Sequence, residues 1–228
     1  MKILIATRAD DQIADMTALT HPNIQQYAQK CGAEFISLNQ MADCPGNGRF
    51  HYRIMEFYRL LEEYDRVLSL DSDILISSKC PNIFDVVPYH QIGTIYEDKG
   101  SRANDRHKRI QKAQSTFGVV NWTTGYINTG VFLVSRLHRP IFQKINGNYW
   151  TDRGFDDVHL GWQIHKHGFE IYELPFQYNH MSMFSEEWNQ YANRFNSYII
   201  HYAGAGIFDK KNRIEQIQND LKVINDCN

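Results

Sequence analysis

The 228-residue sequence lacks long hydrophobic runs, paired cysteines and a marked excess of charge of either sign. No stretch stays apolar over the roughly 20 residues that a membrane-spanning helix requires, so we expect no membrane span. The four cysteines form neither a Cys-x-x-Cys pair nor a zinc-like spacing with histidine, which favours a reducing compartment. A net charge of −2 gives no reason to expect nucleic acid as a partner.

The start of the chain also lacks a targeting pattern. The apolar run at residues 3–6 is too short for a signal peptide, and charged residues follow it. The sequence contains no internal repeat, low-complexity segment or clear linker. We therefore expect a cytoplasmic protein that folds as one large α/β domain over residues 1–228.

Alternating strand and helix patterns fill most of the chain, and the hydrophobic content of 43% is enough for a sizeable core. The strand–helix–strand order at the start predicts a Rossmann-like, mostly parallel sheet flanked by helices. Apolar runs rich in β-forming residues predict strands at residues 2–6, 34–38, 67–70, 74–76, 92–96, 125–134, 171–174 and 198–202. Helical spacing and end signals predict helices at residues 22–30, 50–64, 80–87, 139–149, 156–166 and 211–225.

Residues 97–121 differ in character from the rest of the chain. Basic side chains crowd together there, and few residues are apolar. The composition predicts a mobile surface insertion with one basic helix. The alternative is a lid over an anionic ligand.

The most informative stretch is an Asp-Ser-Asp between two short apolar runs, at residues 67–76. Such a run is typical of a buried strand in a parallel sheet, which would deliver Asp71 and Asp73 to its end. Burying bare carboxylates is costly, and a hard cation such as Mn²⁺ or Mg²⁺ would satisfy both. A solvated turn is the alternative interpretation.

His201 also ends a predicted strand, and ligands bind at the carboxyl ends of strands in open α/β sheets. Together with the two aspartates it would suit Mn²⁺ or Mg²⁺ and leave positions open for phosphate oxygens. Gly204 would let the backbone approach a diphosphate, and Lys210 would neutralise phosphate charge. A histidine bonded to backbone and a solvated lysine are the alternatives. Asn128 beside Gly130 inside a predicted strand suggests close backbone approach to a ligand.

Four motifs in a fixed order give the chain a resemblance to glycosyltransferase family 8, whose members are nucleotide-sugar transferases of the GT-A fold. The motifs are Tyr52-Arg53, Leu70-Asp71-Ser72-Asp73, Tyr126-Ile127-Asn128-Thr129-Gly130 and His201-Tyr202-Ala203-Gly204. No single motif is specific for that family, but the occurrence of all four in the family's order is. The similarity runs patchily from residue 2 to about residue 208.

The resemblance implies that Mn²⁺ or Mg²⁺ bridges the diphosphate of a sugar donor, with UDP favoured. The metal ligands would be Asp71, Asp73 and His201. Arg53 would reach the donor sugar or phosphate, Asn128 the donor or acceptor sugar, and Thr7 and Arg8 would lie beside the base. The full set implied for donor binding is Ala6, Thr7, Arg8, Arg53, Asp71, Ser72, Asp73, Asn128, Gly204 and Lys210.

Two departures from the family pattern bear on mechanism. The lysine–proline–tryptophan that follows the histidine–glycine run in the family is absent, and Lys210 is the substitute for its phosphate lysine. The family's Asp-Gln-Asp at a helix start is here Phe155-Asp156-Asp157, so we take Asp156 and Asp157 as catalytic candidates. Asp156 would act as general base, as nucleophile or only as a hydrogen-bond partner of sugar hydroxyls. The alternative is a helix cap, which contributes about 1 kcal/mol.

The resulting hypothesis is a metal-dependent hexosyl- or deoxyhexosyltransferase that acts on a saccharide hydroxyl. One rival is a haloacid-dehalogenase-like phosphatase, whose nucleophile also follows an apolar strand in an Asp-x-Asp. That motif normally lies close to the N-terminus, whereas here a strand, a helix, a strand and a further helix precede it. The other rival is a non-catalytic binder of nucleotide sugars.

Overall fold

The computed structural model describes residues 1–40, 48–204 and 212–226, with the backbone alone at 225 and 226. The strands are β1 (Ile3–Arg8), β2 (Glu34–Leu38), β3 (Arg66–Leu70), β4 (Ile74–Ile76), β5 (Ile92–Thr94), β6 (Val131–Ser135), β7 (Ile171–Glu173) and β8 (Ile199–His201). The α-helices are α1 (Ala14–Cys31), α2 (Phe57–Glu63), α3 (Ile83–Val86), α4 (Ala103–Phe117), α5 (Phe155–His167) and α6 (Arg213–Asp226). In the part of the chain that these elements cover, no helix is long and apolar enough to cross a membrane.

Six strands form the main sheet, in the order β2-β1-β3-β6-β5-β7. Strand β1 runs parallel to β2 and β3, and β5 runs parallel to β7, whereas β6 is antiparallel to its two neighbours. The expected fold class, a mostly parallel α/β sheet flanked by helices, is therefore confirmed. Strands β4 and β8 form a separate antiparallel pair beside it.

The central strands are apolar on both faces because both faces of the sheet are covered. Ile3 and Ile5 of β1 pack in one core cluster with Ile24 of α1. Leu4 and Ala6, which point the other way, pack in the second cluster with residues of the 49–63 segment. This double burial explains why the sequence reads as short continuous apolar runs and not as alternation.

The first helix begins earlier than predicted. We placed its start at Pro22, but α1 begins at Ala14 and contains Pro22 in its interior. The buried side chains of Met16 and Ile24 lie on either side of the proline in sequence and anchor one continuous helix. Their packing outweighs the one backbone hydrogen bond that proline cannot make. The predicted end was correct, since Gly32 caps the helix in the left-handed conformation with φ 68°.

Two other predicted elements are shorter than expected. The strand predicted at 125–134 exists only from Val131, because the side chain of Asn128 accepts a hydrogen bond from the backbone N–H of Gly130 and turns the chain there. The helix predicted at 139–149 is a 3₁₀ helix, Arg136–Phe142, followed by a turn at Gly147 with φ 82°. The helix predicted at 50–64 also begins as a 3₁₀ helix, Arg49–Glu56, before α2.

The predicted basic helix of the 97–121 segment is α4. It packs through Ile110 and Ala113 in a cluster with Trp122 and Trp162. Glu97, itself buried, bonds Arg102 and Arg106 of the same segment. Mobility of this segment and a role as a lid remain predictions.

Candidate functional site

A cavity of about 630 Å³ opens where β1 and β3 end and where α5 begins. Its lining includes Arg8 at the end of β1, the Asp71–Asp73 couplet after β3, and Asp156 and Asp157 at the start of α5. His201, the last residue of β8, closes the same wall. The polar residues that the sequence places at strand ends are therefore brought together, as expected for an α/β sheet.

Asp71, Asp73 and His201 form the candidate metal centre. One ligand atom from each residue lies within 4.8 Å of the others. The Nε2 atom of His201 is 3.4 Å from Asp71 Oδ2 and 3.3 Å from Asp73 Oδ1. Two carboxylate oxygens and one imidazole nitrogen that face one another suit Mn²⁺ or Mg²⁺.

The orientation of the His201 ring is fixed from behind. Its Nδ1 lies 2.8 Å from the Oδ1 atom of Asn179, which accepts a hydrogen bond from the ring N–H. This bond orients the ring so that Nε2 faces the two carboxylates. Metal-binding histidines are held in this way by a hydrogen-bond acceptor on the other nitrogen. The residues present therefore fit a divalent cation.

Local pairing explains how a distant histidine reaches the aspartates. Strand β8 lies antiparallel to β4, and the register sets His201 beside Ile74, the residue after Asp73. Gly130 leaves the space for the ring, since a Cβ atom there would lie 2.3 Å from His201 Cε1. The close approach predicted at Gly130 is real, but the group that approaches is a histidine of this chain.

Charge around the couplet is balanced by cations of the protein. Burial alone would lower the pKa of His201, but Asp73 and Asp71 raise the pKa to about 10. Burial opposes ionisation of Asp71 as well, yet Arg8 and His201 hold the pKa of that carboxyl well below its usual range. Coordination of a metal by the imidazole would release its proton, because a metal ligand must present a free lone pair.

Two guanidinium groups contact the site. Arg8 donates hydrogen bonds to Asp71 and to Asp156, so it links the couplet to the start of α5. Arg213, at the start of α6, lies with Nη1 at 3.0 Å from Asp73 Oδ2. Neither contact is local in sequence, and no sequence pattern singled out Arg213.

Asp156 and Asp157 are held by different partners. Asp156 accepts hydrogen bonds from Thr129 Oγ1 at 2.8 Å and from Arg8, and His51 Nδ1 lies 3.5 Å away. Asp157 accepts the backbone N–H of Thr129 at 2.8 Å. Burial and the neighbouring Asp156 raise the pKa of Asp157 well above its usual value. The N-cap of α5 is Gly154, without a side-chain capping bond, so the oxygens of Asp156 serve partners outside the helix.

Of the other residues implied for donor binding, some line the cavity and some do not. Ser72 lines the cavity, and its Oγ donates to the carbonyl of Arg8 at 2.8 Å. Arg53 lines it as well, with Nη2 at 2.6 Å from Asp10 Oδ2. Asn128 and Gly204 contribute to the lining, and Asn128 Oδ1 also accepts from Asn179 at 2.9 Å.

Ala6 and Thr7 are buried, and the cavity lining described here includes neither. Thr7 Oγ1 lies 3.3 Å from His21 Nε2 in the direction of α1. Lys210 lies outside the described residues. Trp122 is fully buried and packs against Val158 and Trp162 of α5.

Several lining residues were missed by sequence reasoning. Arg109, Arg153 and His51 reach the cavity from α4, from the loop before α5 and from the 3₁₀ helix before α2. Arg109 belongs to the basic 97–121 segment, for which a lid over an anionic ligand was the alternative prediction, but no sequence pattern singled out Arg153 or His51. Asn179 was missed for the same reason.

No protein-family model matches the sequence, and no curated protein is significantly similar to it. Solved structures do match. A glycosyltransferase involved in the glycosylation of the major capsid of PBCV-1 aligns with a TM-score of 0.63 at 15% identity, over 96% of this chain and 100% of that chain. The bifunctional glycosyltransferase WbbM aligns with a TM-score of 0.63 at 12% identity, over 97% of this chain and 49% of that chain.

The galactosyltransferase LgtC, solved in complex with donor and acceptor sugar analogues, aligns with a TM-score of 0.59 at 14% identity, over 99% of this chain and 96% of that chain. Identities this low establish the fold and not the activity. The chain has the GT-A glycosyltransferase fold, as the resemblance in sequence implied.

Proposed function

We propose that the protein is a metal-dependent glycosyltransferase that moves a sugar from a nucleoside diphosphate, with UDP favoured, to a saccharide hydroxyl. The observation that supports this proposal best is the cluster of Asp71, Asp73 and His201 in the wall of the cavity. A hexose or deoxyhexose is the sugar that we propose. The galactosyltransferase LgtC, which has a similar fold, was solved with a donor and an acceptor sugar analogue bound, and this supports the proposal.

The cation would be held by the carboxylates of Asp71 and Asp73 and by Nε2 of His201. A bound Mn²⁺ or Mg²⁺ would stabilise the negative charge that develops on the departing diphosphate. The residues of the chain itself prepare this site in two ways. Asn179 orients the imidazole, and Gly130 leaves room for it.

The start of α5 would face the reacting sugar. Asp156 is 4% exposed in its side chain and is fixed between Arg8 and Thr129, so its carboxylate has one defined position. We propose it as the general base toward the acceptor hydroxyl or as the nucleophile. Asp157, which also lines the cavity, would form a hydrogen bond with a sugar hydroxyl.

A thermal-shift panel of nucleoside diphosphates and their sugars, with and without Mn²⁺, tests the proposal. A ligand that binds only the folded state raises the apparent stability with its concentration relative to its dissociation constant. We expect a UDP-sugar to raise the melting temperature only when Mn²⁺ is present. The Asp73→Ala variant should remain folded and lose this shift.

Three results would contradict the proposal. An unchanged shift in Asp73→Ala would remove the couplet from the metal site. Hydrolysis of a generic phosphomonoester without any response to sugar nucleotides would favour the phosphatase. Binding of UDP with Mn²⁺ but no turnover of any donor would favour the non-catalytic binder.

A further inference from the structure

Arg213 makes two polar contacts with residues that the structure describes, and both partners line the cavity. Its Nη1 lies 3.0 Å from Asp73 Oδ2, and its Nη2 donates a hydrogen bond to the carbonyl oxygen of Gly204. The side chain is 31% exposed, so it can move without unpacking the core.

The carboxylate of Asp73 is fully engaged in this arrangement. One oxygen faces His201 Nε2 at 3.3 Å, and the other faces Arg213. A divalent cation that took Asp73 as a ligand would compete with the guanidinium for the same carboxylate. It would also repel the guanidinium, since two positive charges that share one carboxylate in a partly buried site are screened less than charges in water.

Two buried guanidinium groups of the cavity, those of Arg8 and Arg53, are less free to respond than that of Arg213. Arg8 is 7% exposed and is held between the carboxylates of Asp71 and Asp156. Arg53 is 3% exposed and is tied to Asp10 and to the carbonyl of Gln40. Among the residues that the structure describes, Arg213 has Asp73 as its one carboxylate partner, and it is the most exposed of these three arginines.

We infer that Arg213 couples cation binding to diphosphate binding, an inference that rests on the proposed function. A cation that binds alone weakens the ion pair between Arg213 and Asp73, and the carbonyl of Gly204 is then the remaining partner of the guanidinium among the described residues. A diphosphate that binds with the cation gives the displaced guanidinium a new anionic partner, and arginine is well suited to phosphate oxygens. Each ligand therefore strengthens the binding of the other by the same factor.

Calorimetry on the Arg213→Gln variant tests this inference. Three titrations are required: Mn²⁺ into free protein, UDP into protein with EDTA, and UDP into protein saturated with Mn²⁺. The ratio of the two UDP affinities is the coupling factor, which we expect to be about 5- to 150-fold in the wild type. In Arg213→Gln, Mn²⁺ alone should bind a few-fold more tightly, and the coupling factor should fall by roughly tenfold.

These changes run in opposite directions, which a general loss of structure would not produce. The matched control is Lys222→Gln, which removes one positive charge from an exposed position of the same helix. It should bind both ligands like the wild type. Arg213→Lys keeps the positive charge but lacks the planar guanidinium that can donate two hydrogen bonds to a phosphate, so it should give an intermediate coupling factor. This variant keeps the inference testable if the glutamine variant fails to fold.

The outcomes separate the inference from the proposed function. A wild type that binds no UDP in the presence of Mn²⁺ overturns both. A wild type with clear coupling that Arg213→Gln leaves unchanged overturns the inference alone. Weaker binding of Mn²⁺ alone in Arg213→Gln, relative to the wild type, would also overturn it, because Arg213 would then support the cation site and not compete with it.

Discussion

Replacement of Gly130 by alanine should disable the metal centre without replacing any of its ligands. The backbone at Gly130 is not in the left-handed region, so alanine meets no backbone strain there. The added methyl group would lie 2.3 Å from His201 Cε1 and 2.8 Å from both His201 Nδ1 and Asn128 Oδ1. Ordinary contact begins at 3.4 Å, so the imidazole ring must move by about 1 Å.

The expected loss has two parts. Overpacking in a well-filled interior costs about 1–3 kcal/mol of unfolding free energy. Displacing the ring also breaks its hydrogen bond with Asn179, and loss of such a supporting contact lowers metal affinity by about 10- to 100-fold. We therefore expect Mn²⁺ affinity to fall by at least about tenfold in protein that remains folded.

The assay is calorimetric titration with Mn²⁺ and UDP, after a urea melt confirms the fold. Gly93→Ala is the matched control, because its methyl group would lie 2.5 Å from a side-chain atom of Val87, away from the site. It should lose similar stability and keep the Mn²⁺ affinity. Wild-type metal affinity in Gly130→Ala would refute the argument that His201 sits where a cation needs it.

Two further predictions concern the carboxylate at the start of α5 and stability in acid. Asp156→Asn should lower sugar transfer by far more than it lowers donor affinity, as seen by comparing turnover with UDP-sugar binding; wild-type rates would reduce Asp156 to a structural role. Burial lowers the pKa of three histidines to about 4, namely His138, His159 and His180. The unfolded chain then binds more protons than the folded one between about pH 6.5 and 4. Stability from these groups is complete above that window and is lost as the pH falls, by at most about 4 kcal/mol per pH unit. Urea melts across the window measure this loss, and a stability that is flat or rising on acidification would contradict it.

The sequence predicts the parts of the site that local patterns encode. Asp71 and Asp73 follow an apolar run that is typical of a buried strand, and the end of such a strand is where ligands bind. The helix that begins near Asp156 was predicted because its apolar spacing and its terminal Gly168 are both local signals. Both predictions are correct because the packing of these elements on the sheet favours the same local structure as the sequence pattern does.

The rest of the site depends on contacts between residues far apart in the chain. Asn179 orients His201 across 22 positions, and Arg8 reaches Asp156 across 148. No periodicity or composition records such pairs. Pro22 and the stretch before Val131 were misassigned because tertiary packing and a side-chain hydrogen bond from Asn128 outweighed local propensity.

Anomalous diffraction from crystals grown with Mn²⁺ and UDP tests the central claim most directly. The account predicts one manganese peak within bonding distance of Asp71, Asp73 and His201, with diphosphate oxygens completing its coordination. A manganese peak elsewhere, or UDP bound without manganese at these three side chains, would contradict it.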